Sequence, residues 1–153
     1  MAFLGIRCSN HDFSFAILSG TKISLKVDQT ENIAFPKGYS KQSSLTWFLQ
    51  ELHTLFEKNP SIKVIGIKSA EPMASRNKAF VERVEYETIV YLAAANFGIK
   101  AIFKKPKVTI AKDLGLKGKS KYLNDLECPF FPDLKEKSDK IQESVLVAWS
   151  CIK

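Results

Sequence analysis

Six residues, Lys22-Ile23-Ser24-Leu25-Lys26-Val27, alternate polar and apolar without a fault, and Ser19-Gly20-Thr21 turns the chain just ahead of them. A two-residue period puts every second side chain on one face, so this segment predicts a half-buried strand. Two further apolar runs precede it, Phe3-Leu4-Gly5-Ile6 and Phe13-Ser14-Phe15-Ala16-Ile17-Leu18, joined only by the polar stretch Ser9-Asn10-His11-Asp12. Parallel strands need a crossover of a dozen or more residues, and these connections are far shorter, so the first three strands form an antiparallel meander.

The period then changes. Leu45, Phe48, Leu49, Leu52, Leu55 and Phe56 recur at helical spacing behind a Ser43 or Ser44 cap, and Asn59-Pro60 ends the helix. Val64 to Ile67 reads as a short buried strand. From Arg76-Asn77-Lys78 a long helix carries Phe80, Val81, Val84, Ile89, Val90, Leu92 and Ala93 to Ala95, closes at Asn96-Phe97-Gly98, and leads into the strand Ile99 to Phe103. That strand–helix–strand run is the length of a parallel crossover. Pro106 breaks the last strand. Short helical patterns follow at Val108 to Leu114 and Ser120 to Leu123, Cys128 to Lys137 reads as a loop, and Ser138 caps a final helix with Ile141, Val145, Ala148, Trp149 and Ile152 facing inward.

At 153 residues with 45% hydrophobic content the chain is the size of one domain spanning 1–153, long enough to bury roughly two thirds of its unfolded surface. Twenty-three Lys and Arg against sixteen Asp and Glu leave a formal charge of +7, which favours polyanions such as DNA or RNA. No apolar run approaches the ~20 residues a membrane span requires, and Met1-Ala2-Phe3 enters a strand without a basic leader, so a cytosolic protein without a membrane partner is expected. Cys8, Cys128 and Cys151 are widely separated and form no zinc spacing; they read as reduced packing residues.

The order β-β-β-α-β-α-β-α-α, an antiparallel meander followed by a parallel crossover, resembles the ribonuclease H-like superfamily, most closely the RuvC-like Holliday-junction resolvases. Phe3-Leu4-Gly5-Ile6-Arg7-Cys8-Ser9 is similar to the family's first strand, apolar-Leu-Gly-Ile-Asp-Pro-Gly, and Val64-Ile65-Gly66-Ile67-Lys68 to the strand that ends in its catalytic Glu. Tyr91-Leu92-Ala93-Ala94-Ala95, the strand Ile99 to Phe103, the Lys119-Ser120 helix start and Glu143-Ser144-Val145-Leu146-Val147-Ala148 also find counterparts. The resemblance implies an α/β, ribonuclease H-like fold: a mixed five-stranded sheet, its first three strands antiparallel, flanked by helices. It implies an activity as well, phosphodiester cleavage on two divalent cations held by carboxylates.

The residues at the matching positions depart from that chemistry. The first-strand Asp is Arg7, the second-strand Glu is Lys68, and the two helix aspartates align with Lys140 and Glu143. Mg²⁺ takes hard oxygen ligands, and an ammonium cannot be one. The expectation is a catalytically degenerate, stand-alone domain with no cofactor that binds nucleic acid or a nucleic-acid-handling partner. An active Mg²⁺- or Mn²⁺-dependent nuclease is the alternative, with its acids relocated to Asp12, Glu71 and Asp139 or Glu143. Asp12 lies roughly 16 Å past Arg7 along an extended strand, so that site would need a sharp reversal. A protein-interaction domain is a third reading, and whether the chain forms the homodimer that resolvases use stays open.

Two further patterns bear on binding. Lys100, Lys104, Lys105, Lys107, Lys112, Lys117, Lys119 and Lys121 stud one stretch of chain with Phe103 and Tyr122 among them, a composition able to contact phosphates and stack a base, or simply a solvated lysine-rich surface. Arg7 and Lys68 either hold a phosphate or pair with Glu71, Glu87 or Glu143. Glu82, Arg83, Glu85 and Glu87 read as a solvated helix face on which Arg83 and Glu87, four apart, can pair.

Overall fold

β1 (Ala2–Cys8) lies at the centre of a five-stranded sheet because both of its edges are paired: antiparallel to β2 (Asp12–Thr21) and parallel to β4 (Ile62–Lys68). The strand order is β3-β2-β1-β4-β5, with β3 (Ser24–Ala34) closing the meander and β5 (Ala101–Lys105) added in parallel beyond β4. The computed structural model describes residues 1–116, 123 and 125–153. None of its helices is long and apolar enough to cross a membrane.

Alternation along the strands divides the core in two. Leu4, Ile6, Cys8, Phe13, Phe15, Ile65 and Ile67 face α1 (Lys41–Lys58), which contributes Phe48, Leu52 and Phe56, and α2 (Lys78–Asn96), which contributes Val90, Ala93 and Ala94. Phe3, Ala16 and Leu18 face the opposite way, against Ile110 and Ala111 of α3 (Lys107–Asp113) and Val145, Leu146, Val147 and Ala148 of α4 (Asp139–Ser150). Burial of each Leu, Ile, Val and Phe side chain among them contributes roughly 1.5–3 kcal/mol, and each alanine less, so helices are held against both faces of the sheet.

Glycine sets the depth of α4. A Cβ on Gly5 would lie 1.8 Å from the Ser144 carbonyl oxygen, and one on Gly66 would lie 2.9 Å from both the Val147 carbonyl and Cys151 Sγ. The helix therefore rests directly on backbone, and this close approach places its first turns over the C-terminal ends of β1 and β4.

Several local expectations shift. The α1 cap is Ser40, whose side chain accepts from the Ser43 N–H, one turn ahead of the serines that sequence favours. Ser138 caps α4 as expected, accepting from the Ile141 N–H. β3 runs on to Ala34, past the alternating residues, because it is an edge strand whose polar residues stay in solvent. The Cys128 to Lys137 stretch contains a 3-10 turn, Pro132–Glu136, anchored by buried Leu134. On α2 the apolar Val81, Tyr91 and Leu92 are exposed, while Glu87 is wholly buried: the helix turns a carboxylate inward.

Candidate functional site

Gly5 and Gly66 are register partners, so the residues two positions further along each strand, Arg7 and Lys68, stand on the same face at the strand ends, below the start of α4. Arg7 Nε donates to Glu143 Oε2 at 2.9 Å, and its Nη1 donates to the Cys8 carbonyl at 2.8 Å. Lys68, 2% exposed, donates to the Ser69 carbonyl at 2.6 Å and to Glu71 Oε1 at 3.0 Å. Burial pushes the Lys68 ammonium below the usual lysine range, with Glu143 and Glu71 offsetting part of that effect. Lys107 closes the group: its backbone N–H donates to Glu71 Oε1 at 3.2 Å, and its Nζ lies 4.0 Å from Glu143 Oε1. Arg7 and Lys68 thus meet the acids the sequence offers them, Glu143 and Glu71.

Asp12 reaches this region as well. The Ser9 N–H donates to the Asp12 carbonyl at 2.8 Å, which reverses the chain at the end of β1. This corrects the extended-chain expectation: the sharp reversal exists, because β1 and β2 are joined by a tight hairpin rather than a straight run. Asp12 Oδ1 accepts from Lys140 at 2.7 Å and from Ser9 Oγ at 2.6 Å. Partial burial would raise its carboxyl, but the Lys140 and Ser9 hydrogen bonds outweigh that and hold it below the usual carboxylate range. Glu71 behaves likewise, lowered by Lys68 and the Lys107 N–H against the opposing effect of burial.

Between these elements and α4 lies a cleft of about 330 Å³ lined by Lys68, Lys107, Lys135, Asp139, Gln142 and Glu143 over an apolar floor of Ile110 and Leu146. A pair of divalent ions requires several anionic oxygens converging on one point. Here Asp12, Glu71 and Glu143 are each directed at a different cation, and Asp139 lines the cleft with no ion pair among the described residues. No group of three or more His, Cys, Asp or Glu suited to a metal occurs among those residues. The donor set does not fit the metals that the fold's nucleases use.

The lysine-rich stretch divides rather than forming one patch. Alternation on β5 sends Lys104 to the α2 face, 2.8 Å from Glu87 Oε1, and Lys105 to the α4 face, where it donates to Asp113 Oδ2 at 2.8 Å and the Ser150 carbonyl at 3.1 Å. Lys100 and Lys112 are exposed, and Lys107 faces the cleft. Lys117, Lys119, Lys121, Tyr122 and the Lys119-Ser120 helix start lie outside the described residues. Sequence reasoning missed Lys135 and Gln142, which the 3-10 turn and the first turn of α4 bring to the cleft wall; the turn's Pro132 is the signal for it, though not for its direction.

Glu87 is the less expected member of the neighbourhood. Read from sequence as part of a solvated face, it is instead fully buried, accepting from Arg83 Nε at 3.3 Å, while Lys104 approaches without hydrogen-bond geometry. Arg83 Nη2 also donates to the Lys68 carbonyl at 2.8 Å, which ties α2 to the end of β4. All three cysteines are free; burial pushes the Cys128 thiol up to about 11 and raises Cys8 and Cys151 as well, consistent with inert packing residues.

No protein-family model matches the chain, and no curated protein matches it in sequence. Solved structures do match. RuvC of Thermus thermophilus superimposes with a TM-score of 0.78 at 8% identity, covering 98% of this chain and 92% of RuvC. The same enzyme in complex with a Holliday junction substrate gives 0.77, 8%, 98% and 91%. The yeast mitochondrial Holliday junction resolvase Ydc2 gives 0.64 at 17% identity, over 97% of this chain and 76% of that one. At such identities the likeness is one of fold, and the fold is the RuvC-like, ribonuclease H architecture.

Proposed function

We propose that this RuvC-like domain binds DNA or RNA through the sugar–phosphate backbone and does not cut it. One observation carries the reading. At the strand ends where a metal-dependent nuclease gathers carboxylates, this chain gathers Arg7, Lys68 and Lys107, and the acids beside them are already engaged. Arg7 and Lys68 can each donate to a phosphate oxygen as well as to Glu143 or Glu71, whereas Mg²⁺ would find each neighbouring carboxylate already paired with a cation. The cleft is close to charge-balanced, so affinity comes mainly from the +7 excess spread over the surface. Binding of that kind is salt-sensitive and weakly sequence-specific.

Fluorescence anisotropy with four-way junction, duplex and single-stranded probes tests this. The expected result is binding at low salt whose log–log salt slope is about −0.9Z on duplex DNA for Z phosphates neutralised, with a smaller slope after Lys107→Glu plus Lys112→Glu. Absence of binding at low salt, or binding indifferent to those changes, overturns the reading and leaves a protein-interaction role. Metal-dependent cleavage by the unmodified protein, lost in Glu71→Gln or Asp12→Asn, overturns the non-cutting half and restores the relocated-acid nuclease.

A further inference from the structure

A second cavity, of about 590 Å³, opens on the opposite side of the Ser9–Asp12 reversal from the cleft. Its volume lies within the ~300–1,000 Å³ typical of small-molecule sites. The floor is aromatic: Phe35 and Tyr86 both line it, their rings stacked at 3.8 Å and 11°, each only 7% exposed. Tyr39, 53% exposed, stands at the wall just before the Ser40 cap of α1.

Two hydroxyls line this cavity without an internal partner among the described residues, those of Ser44 and Tyr86, on side chains that are themselves largely buried. Neither oxygen is shut away from solvent: among the described residues the one buried side-chain polar atom without a partner is Glu87 Oε1, so both hydroxyls are open to a molecule in the cavity. The cavity therefore presents an aromatic surface, two accessible hydroxyls and the Glu82 carboxylate, with Lys37 and Lys41 also lining it.

We propose that this cavity receives a nucleobase, its ring against Tyr39 and its polar edge on the Ser44 and Tyr86 hydroxyls. A planar heterocycle with mixed donors and acceptors matches an aromatic wall with mixed polar groups, and stacking on a half-exposed aromatic is how single-stranded nucleic acid is commonly held. Placement favours the same ligand class. Asp12 lines the cavity on one side and meets Lys140 of α4 on the other, so a strand lying in the cleft passes within one hairpin turn of the pocket. The inference rests on the proposed nucleic-acid reading where the base belongs to a strand; a base carried by a free nucleotide has the same chemistry.

The test compares a mixed-sequence single strand, the same strand with abasic residues, and adenosine monophosphate, each by anisotropy or calorimetry against the full chain. The expected result is tighter binding of the intact strand, with the advantage lost in Tyr39→Ala by about 5- to 150-fold and reduced in Ser44→Ala and Tyr86→Phe. Tyr39 is exposed and the other two changes remove only a hydroxyl, so unchanged thermal unfolding certifies the fold. Monophosphate binding that depends on Tyr39, without a base effect on the strands, supports the site and assigns it to free nucleotides. Equal binding of intact and abasic strands with no monophosphate binding overturns the pocket while leaving the cleft reading standing. Binding by none of the three overturns both.

Discussion

Gly5 of β1 and Gly66 of β4 are register partners in a parallel strand pair, and the α4 backbone approaches both where a Cβ would stand, through the Ser144 and Val147 carbonyls. That contact fixes the height of Glu143 over Arg7, and thereby the width of the cleft.

Gly5→Ala is expected to cost about 3 kcal/mol or more, because its methyl would meet the Ser144 carbonyl at 1.8 Å and a backbone atom cannot rotate away. Gly38, at φ +78 with open space where a Cβ would go, is the control: Gly38→Ala pays only backbone strain, about 1 kcal/mol. Urea unfolding of both variants measures the difference, and equal losses would mean that α4 does not rest on the sheet as described.

The two buried charge sites are expected to respond to truncation to very different degrees. Glu87→Ala leaves the Arg83 guanidinium mostly buried without its carboxylate and should cost about 3–5 kcal/mol. Lys68→Met removes a desolvated ammonium, and its partner Glu71 is 40% exposed and keeps the Lys107 N–H, so stability should stay within about 1 kcal/mol. Chemical denaturation midpoints decide it; a large loss in Lys68→Met would show that its hydrogen bonds to Ser69 and Glu71 outweigh its desolvation.

Acid should unfold the protein through Asp12 and Glu71. Both carboxyls sit below their ordinary values in the fold, so their contribution is fully present above the unfolded values near ~4 and is lost as pH falls through the folded ones. Melting temperature followed from pH 7 downward should begin to fall near about pH 5, and Asp12→Asn should flatten that limb while lowering stability at neutral pH. A variant with the same acid limb as the parent would exclude Asp12 as a contributor.

Arg7→Asp combined with Lys68→Glu would place three carboxylates at the strand ends, with Glu143 the third. Their mutual repulsion should destabilise the metal-free variant, and Mn²⁺ should restore it by RT ln(1 + [L]/Kd), a shift not expected of the parent protein. Thermal scanning with and without Mn²⁺ reads this directly. No metal-dependent shift in the variant would mean that the three positions do not converge.

Much of the fold was legible because the strands announce their faces. The alternation over Ser24 to Val27 and the apolar runs at Phe3, Phe13 and Val64 specify period and order, and the short connections leave no choice of direction; the turn itself was misplaced, because Lys22-Ile23, read as the start of the strand, form the hairpin turn with Ile23 in solvent, while Ser19-Gly20-Thr21, read as the turn, complete β2. The limits of β3 and the inward face of α2 were not legible. β3 continues through Asp28–Asn32 because an edge strand needs no apolar face, and α2 buries Glu87 because Arg83 and Lys104 neutralise it, a compensation that depends on β5 lying alongside. At the site, Arg7 and Lys68 were found from the resemblance to the resolvase strands, whose carboxylate positions they occupy. Their partners required the third dimension, as did the place of Asp12, since a hairpin reversal turns sequence distance into proximity. The cavity that Ser44 and Tyr86 line had no sequence signal at all.

β5 has five residues and one edge without a partner strand among the described residues, so by length and position it should be the first part of the sheet to open to solvent. Its last two side chains point to opposite faces and both are held, Lys104 by Glu87 of α2 and Lys105 by Asp113 and Ser150 beyond it. The strand is stitched down through its side chains from above and below, and separating its backbone from β4 means breaking ion pairs on two faces together. Slow amide exchange at the C-terminal end of this short edge, set against quicker exchange along the far longer β3, is the signature such an arrangement leaves.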